Sequence, residues 1–300
     1  MNHCIRTRTA STPGHPGHSS RFSGLIVGLA FLACAPQAGA QCNPDQTPPP
    51  GLPIGPGDQV LCYGDSVTKG FDSRPMHYAK IMERLLRDAY CALETVTFDG
   101  RGSNSGHWKA YRRRLARILE NNDYSAVTIQ DAGKAKRRKD DRFRGYIEAT
   151  LLGAAAAKPG VELLATTTAG LDVPRAGKKW TRSYAKSENF SAHNGDVVLA
   201  VDTVGVPLAD WAAEACGAYE ARPDLAWTVD GVHLDTWGEL LYALANLEAW
   251  GVPREDLDPT RLAEVWPDLD AETSTAAADI VYSTPEHCQT LAPPPASEVP

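Results

Sequence analysis

The first acidic residue of this 300-residue chain is Asp45, and before it stand only positive charges, Arg6, Arg8 and Arg21 among them. Long apolar runs are also missing. The most apolar stretch, LIVGLAFLA at residues 25 to 33, is too short to span a bilayer, so a membrane-crossing helix there is excluded. Basic leader, short apolar run and the small-residue stretch APQAGA follow one another as in a secretory signal peptide, with Ala38-Gly39-Ala40 as an A-x-A cleavage site. A lipoprotein signal ending at Cys34 is the alternative, disfavoured by Phe31 where a small aliphatic residue is preferred. The chain lacks a positive excess too. Its 30 basic and 37 acidic residues give −7, and loss of residues 1–40 with three arginines would leave 27 against 37, or −10, which argues against a general nucleic-acid binder.

Cysteine is sparse and odd in number. Of seven, five would remain after cleavage: Cys42, Cys62, Cys91, Cys216 and Cys288. Export would expose them to oxidising conditions in which pairs persist, yet at least one must stay single. Cys62 lies inside an apolar run and is expected to be that one. Cys91 should end the first helix near the strand starts, where the segment holding Cys42 enters; this predicts a Cys42–Cys91 bridge and leaves Cys216 to Cys288.

Residues 41–57 are rich in Pro and Gly and read as a linker, and residues 251–300 as a C-terminal extension with a short helix near 259–265 and a disordered tail. Between them, over 58–250, short apolar or β-branched runs at 58–63, 95–99, 125–130, 161–168 and 205–210 lack the alternation of a half-exposed strand. Strands buried on both faces have this look, which implies a parallel sheet. Helical periodicity fills the gaps. Met76, Ala79, Met82, Leu85, Leu86 and Ala89 mark one apolar face, behind a cap and first turn expected at Ser73 and Pro75. Trp108, Tyr111, Leu115, Ile118 and Leu119 mark another, and further helices are expected at 143–157, 191–203 and 236–250. The fold class expected is a three-layer α/β/α domain with five parallel strands, whose ligands bind at the carboxyl ends of the strands.

Two motifs fall at that edge. In LCYGDSVTKG, residues 61–70, Ser66 follows the first strand directly, where a helix start offers free N–H groups to a developing oxyanion. A turn built from Gly, Asp and Ser is the plain alternative. In WTVDGVHLDTWG, residues 227–238, Asp230 and His233 stand three apart at the mouth of the last helix, a spacing that lets the carboxylate orient the imidazole. A metal site from Asp230, His233 and Asp235 lacks a further clear ligand, so no metal or other cofactor is expected. Together, Ser66, His233 and Asp230 have the makings of a catalytic triad.

On these residues the sequence resembles the GDSL, or SGNH, hydrolases. GDSVTKG is similar to that family's nucleophile block, DGVHLDTWG to its closing Asp-x-x-His block, and DGRGSNSG at residues 99–106 to its glycine block. The G-x-S-x-G elbow of the α/β-hydrolases is missing around Ser66. The resemblance implies a flavodoxin-like sheet, ester hydrolysis through an acyl-enzyme, and an oxyanion hole from the N–H groups of Ser66 and Gly102. One block departs: where the family has Gly-x-Asn-Asp after the third strand, the chain reads IQDAGKAKRRKDD at residues 129–141, without the asparagine. Lys134 stands near its place, and Gln130 or Asn104 are other candidate donors.

The basic run from Lys134 to Arg144 reads as a solvated face or as a clamp for an anionic substrate, such as an acidic polysaccharide or a lipid headgroup. The expected function is a secreted or periplasmic serine ester hydrolase acting on a small-molecule, glycan or lipid ester. O-acetyl transfer to a glycan, or ligand binding without catalysis, are the alternatives.

Overall fold

Five runs with apolar side chains on both faces cannot be left half-exposed, and they hydrogen-bond into one sheet. In the computed structural model the described residues are 42–69, 76–103, 108–130, 142–167, 187–222, 233–264 and 266, all within the unit Ala40–Pro300. The strands are β1 (Gln59–Gly64), β2 (Thr97–Gly102), β3 (Ala126–Gln130), β4 (Glu162–Thr166) and β5 (Leu208–Ala209). They pair in parallel in the order β2-β1-β3-β4-β5. The chain therefore winds outward from β1 in one direction and then in the other, and the reversal falls between β1 and β3. This is the expected three-layer α/β/α architecture.

Side chains alternate across the strands and divide the core in two. Val60, Cys62, Ala126 and Leu164 point to the layer formed by α1 (Tyr78–Ala89), α5 (Trp211–Ala221) and α6 (Thr236–Ala249). Leu61, Tyr63, Val127, Ile129 and Leu163 point to the layer of α2 (Trp108–Asn121), α3 (Arg142–Ala157) and α4 (Ser187–Val204). Trp108 belongs to this second layer, its ring stacked on Tyr146 at 4.3 Å between centroids. The core also takes in residues on both sides of 58–250: Ile54 before, Val252, Leu257 and Leu262 after, the last within a 3₁₀ segment, Pro259–Glu264.

Two elements differ from the sequence reading. Helix α1 begins at Tyr78 and is capped by His77, whose side chain accepts the Ala79 N–H; the expected cap, Ser73 and Pro75, lies outside the described residues. Helix α5 has no counterpart among the helices expected from periodicity. Its sequence, WAAEACGAYEA, is mostly small residues with little contrast between faces, and it is started by Asp210, which accepts the Ala213 N–H. Cys42 and Cys91 are bridged with Cα atoms 5.0 Å apart, Cys62 is free and buried, and Cys216 is disulfide-bonded; Cys288, its expected partner, lies outside the described residues. Among the described residues no helix is long and apolar enough to cross a membrane.

Candidate functional site at the carboxyl edge of the sheet

The chain leaves β1 at Gly64 and turns at once. Asp65 makes the turn: its Oδ1 accepts the Val67 N–H at 3.0 Å and its carbonyl accepts the Lys69 N–H at 3.0 Å, closing a single helical turn over residues 65–69. Ser66 is the first residue inside that turn and is exposed, whereas Asp65, Val67 and Thr68 are buried. Among the described residues the Ser66 hydroxyl and N–H have no hydrogen-bond partner, His233 included. A hydroxyl held out of the protein on a turn tied down at both ends is positioned for an incoming group.

Beneath the turn the packing leaves no space for slack. A Cβ on Gly64 would lie 2.1 Å from Thr68 Oγ1 and 2.5 Å from Gln130 Oε1. A Cβ on Gly102 would lie 2.6 Å from Lys69 Cα and 2.8 Å from Lys69 N, so the Ser66 turn rests directly on this glycine. Gly64 and Gly102 are register partners at the last rung of the β1–β2 ladder, and Ser103 N–H closes it onto the Gly64 carbonyl at 2.7 Å.

A buried polar network braces the turn from below. Gln130, at the end of β3 and 1% exposed, directs Oε1 to the Asp65 N–H at 3.3 Å and to the Thr68 hydroxyl at 3.4 Å. With that proton committed, the Thr68 oxygen accepts from the Tyr78 hydroxyl at 3.0 Å. His77 accepts the Ala79 N–H at Nδ1, which places its proton on Nε2, and Nε2–H donates to the Thr68 carbonyl at 3.1 Å. Helix α1 has no acidic residue of its own in its first turn. Glu239 of α6 supplies one, accepting the Tyr78 N–H at 2.9 Å, where a carboxylate also complements the helix dipole.

Glu239 stands six residues after His233. Asp235 caps α6 by accepting the Thr236 N–H at 2.8 Å, and half-buried His233 lies just ahead of that cap. The Glu239–Tyr78 contact thus ties the histidine-bearing end of α6 to the helix that follows the Ser66 turn. Cys62 lies deeper in the same layer, where burial pushes its thiol up to about 12, so it is held as an un-ionised, unreactive thiol.

Of the residues singled out in the sequence, the structure brings Ser66, Gly102 and Gln130 together. Asp230, Asn104 and Lys134 lie outside the described residues, as does the basic run from Lys134 as far as residue 141; Arg144, at its end, pairs with Glu148 at 2.8 Å. Gln130 turns its carbonyl oxygen to the Ser66 turn and braces it. Sequence reasoning missed His77, Thr68, Tyr78 and Glu239. The one signal available was polar residues in apolar surroundings. No cluster of three or more His, Cys, Asp or Glu able to hold a metal occurs among the described residues.

No protein-family model matches the sequence, and no curated protein matches it. Solved structures do match in fold. A GDSL-like lipase from Parabacteroides merdae superposes with a TM-score of 0.53 at 16% identity, over 68% of this chain and 100% of the other. LAE5, an alpha/beta hydrolase enzyme from the metagenome of Lake Arreo, gives 0.53 at 14% identity, over 67% and 98%. A catalytic mutant of Axe2, an acetylxylan esterase from Geobacillus stearothermophilus, gives 0.51 at 17% identity, over 67% and 97%. The fold is the one shared by these hydrolases.

Proposed function

We propose that the protein is a serine ester hydrolase of the GDSL type, exported from the cell, that works through an acyl-enzyme on Ser66. The observation that carries this reading is the setting of Ser66: an exposed hydroxyl with an unengaged N–H, on a turn clamped over Gly102 and braced by a buried network, at the carboxyl end of β1. A surface serine in an ordinary turn needs no such support. The likeness of fold to a GDSL-like lipase, an alpha/beta hydrolase enzyme and an acetylxylan esterase agrees with it.

In the first step neutral His233 removes the Ser66 proton as Oγ attacks the ester carbonyl, and the alcohol leaves with that proton. Asp230 orients the ring and stabilises the imidazolium. Negative charge on the tetrahedral oxygen is taken by the N–H groups of Ser66 and Gly102, at the positive end of the turn. His233 then activates water, which releases the acid and restores the serine. Lys134 and Asn104 are the candidates for the donor the usual asparagine would supply. No metal or cofactor is needed at any step. The disulfide between Cys42 and Cys91 suits an oxidising compartment.

A fluorophosphonate probe tests the reading, because only an activated serine labels rapidly. Wild-type protein should label at Ser66 and hydrolyse a short-chain aryl ester, and Ser66→Ala should do neither while keeping its fold. A folded wild type that neither labels nor turns over would leave the chain as a binding protein on a hydrolase fold.

A further inference from the structure

Several cations of this acid-rich chain find a carboxylate; Arg84 meets Asp88 at 2.6 Å, Arg144 meets Glu148 at 2.8 Å and Lys158 meets Asp123 at 2.7 Å. The cations of helix α2 do not. Lys109, Arg112, Arg113, Arg114 and Arg117 are all exposed, and among the described residues none has a carboxylate within 4.0 Å. Among the described residues the only side-chain hydrogen bond any of them makes is from Arg113 Nε–H to the Lys109 carbonyl at 3.1 Å. Tyr111, Leu115 and Leu119 take the buried side, so the cations cover the outward arc. Lys109, Arg113 and Arg117 follow at four-residue spacing, which sets like charges side by side and is unfavourable in a helix without a partner. Only Glu120, near the far end, offsets them.

The position of this strip matters as much as its charge. Helix α2 starts just after β2, at the sheet edge that carries Ser66. Lys69, exposed and likewise without an ion pair among the described residues, sits on the Ser66 turn over Gly102. Positive charge therefore begins beside Ser66 and is found again along α2, a helix of roughly 21 Å at 1.5 Å per residue.

We infer that the outward face of α2 is a docking surface for an acidic polysaccharide, whose repeated carboxylates lie along the helix while an ester on the same polymer reaches Ser66. This rests on the ester-hydrolase reading for the second half of the statement and on charge complementarity for the first. Guanidinium groups pair with carboxylates through two parallel hydrogen bonds, and a linear polymer with a charge on each unit can meet several at once. A lipid surface fits less well. Membrane-lying helices present an apolar side outward, whereas the apolar side of α2 is packed in the core, and Leu152 is the one large hydrophobic exposed among the described residues. Single-stranded nucleic acid would need aromatic rings free for stacking, and Trp108 at the head of the helix is already stacked on Tyr146.

The test uses the full chain carrying Ser66→Ala, so that the polymer is bound and not consumed, with de-esterified polygalacturonate as the probe and unmodified xylan as the neutral control. Polygalacturonate should bind and xylan should not, and binding should weaken steeply as salt rises to ~0.15 M, where screening sets in within about 8 Å. The triple change Lys109→Glu, Arg113→Glu and Arg117→Glu should weaken polygalacturonate binding at least roughly tenfold. The same triple change with Ser66 intact should leave fluorophosphonate labelling as in the wild type. Should charge reversal disturb folding, the corresponding Gln triple should show the same loss with an unchanged melting curve. Equal binding to xylan, full polygalacturonate binding by the Gln triple, or binding only to phosphatidylglycerol vesicles or to an oligonucleotide would overturn the proposal. Salt-sensitive polymer binding in a protein that the fluorophosphonate does not label would instead overturn the ester-hydrolase reading and leave the docking surface standing.

Discussion

Gln130 Oε1 accepts the backbone N–H of Asp65 at 3.3 Å across the ends of β3 and β1, and so couples the residue beside Ser66 to the centre of the sheet. Replacing Gln130 by Met keeps the volume but strands a buried N–H and a buried hydroxyl. That should cost about 1–3 kcal/mol of stability, and, by loosening Ser66, lower kcat roughly tenfold or more with little change in KM. Gln130→Glu, which retains an acceptor, should recover part of the kcat. A Met variant with wild-type kcat would remove Gln130 from the positioning of Ser66.

Gly102 carries a second expectation, because a methyl group there meets the Lys69 backbone and not a flexible side-chain end. Gly102→Ala should push the Ser66 turn away from the sheet, and a shift of about 1 Å is enough to cost on the order of a hundredfold in rate. Gly145→Ala is the control: it lies in α3 with nothing within 4 Å of the added methyl. There the change should stabilise by about 0.5–1 kcal/mol. Kinetics and denaturant melts on the two variants decide the matter; equal behaviour would refute the steric argument.

Glu239 joins α6 to the start of α1 through the Tyr78 N–H. Glu239→Leu should leave that N–H unpaired and destabilise the fold by about 1–3 kcal/mol. Glu239→Gln, which can still accept, should cost less. If urea unfolding ranks the two variants the other way, the contact is not what holds the helices together.

Cys62 makes stability depend on pH on the alkaline side. Its folded-state value of about 12 lies above the ordinary 9.0, so above pH 9 the unfolded chain loses a proton that the folded chain keeps. Its contribution is therefore complete below about pH 9 and declines as pH rises from there towards 12, by up to about 1.4 kcal/mol per unit. The clean window is pH 9 to 10, below the ordinary tyrosine value of 10.0, because Tyr78 and Tyr242 are also pushed up by burial. Comparing wild type with Cys62→Ala across that window should show the slope in the wild type alone. Iodoacetamide should alkylate Cys62 only as fast as the protein unfolds; rapid labelling of the folded protein would contradict its burial.

Much of the architecture was legible because it follows from short-range chemistry. Runs such as VLCY and AVTI, apolar on both faces, can only be interior strands, and the stripe Met82, Leu85, Leu86, Ala89 can only face a sheet. The Cys42–Cys91 bridge followed from knowing at which edge a crossover helix ends. Helix α5 escaped because its alanines and glycine give no periodic contrast; what buries Trp211, Ala215 and Ala218 is the packing of α6 and the sheet, which no local pattern announces.

For the site, the sequence by itself determined which groups are available: a serine after a strand, a glycine after the next, and a histidine before the last helix. Only the tertiary structure decided what holds them. Gln130 lies 65 residues from Asp65, and Glu239 lies 161 from Tyr78, so neither contact leaves a trace in local spacing. The same is true of α2, whose arginines look like any solvated helix face until the fold shows that, among the described residues, no carboxylate comes to meet them. Burial is the physical reason: it makes each unpaired polar group costly, and so it selects partners by proximity in space, whatever their distance along the chain.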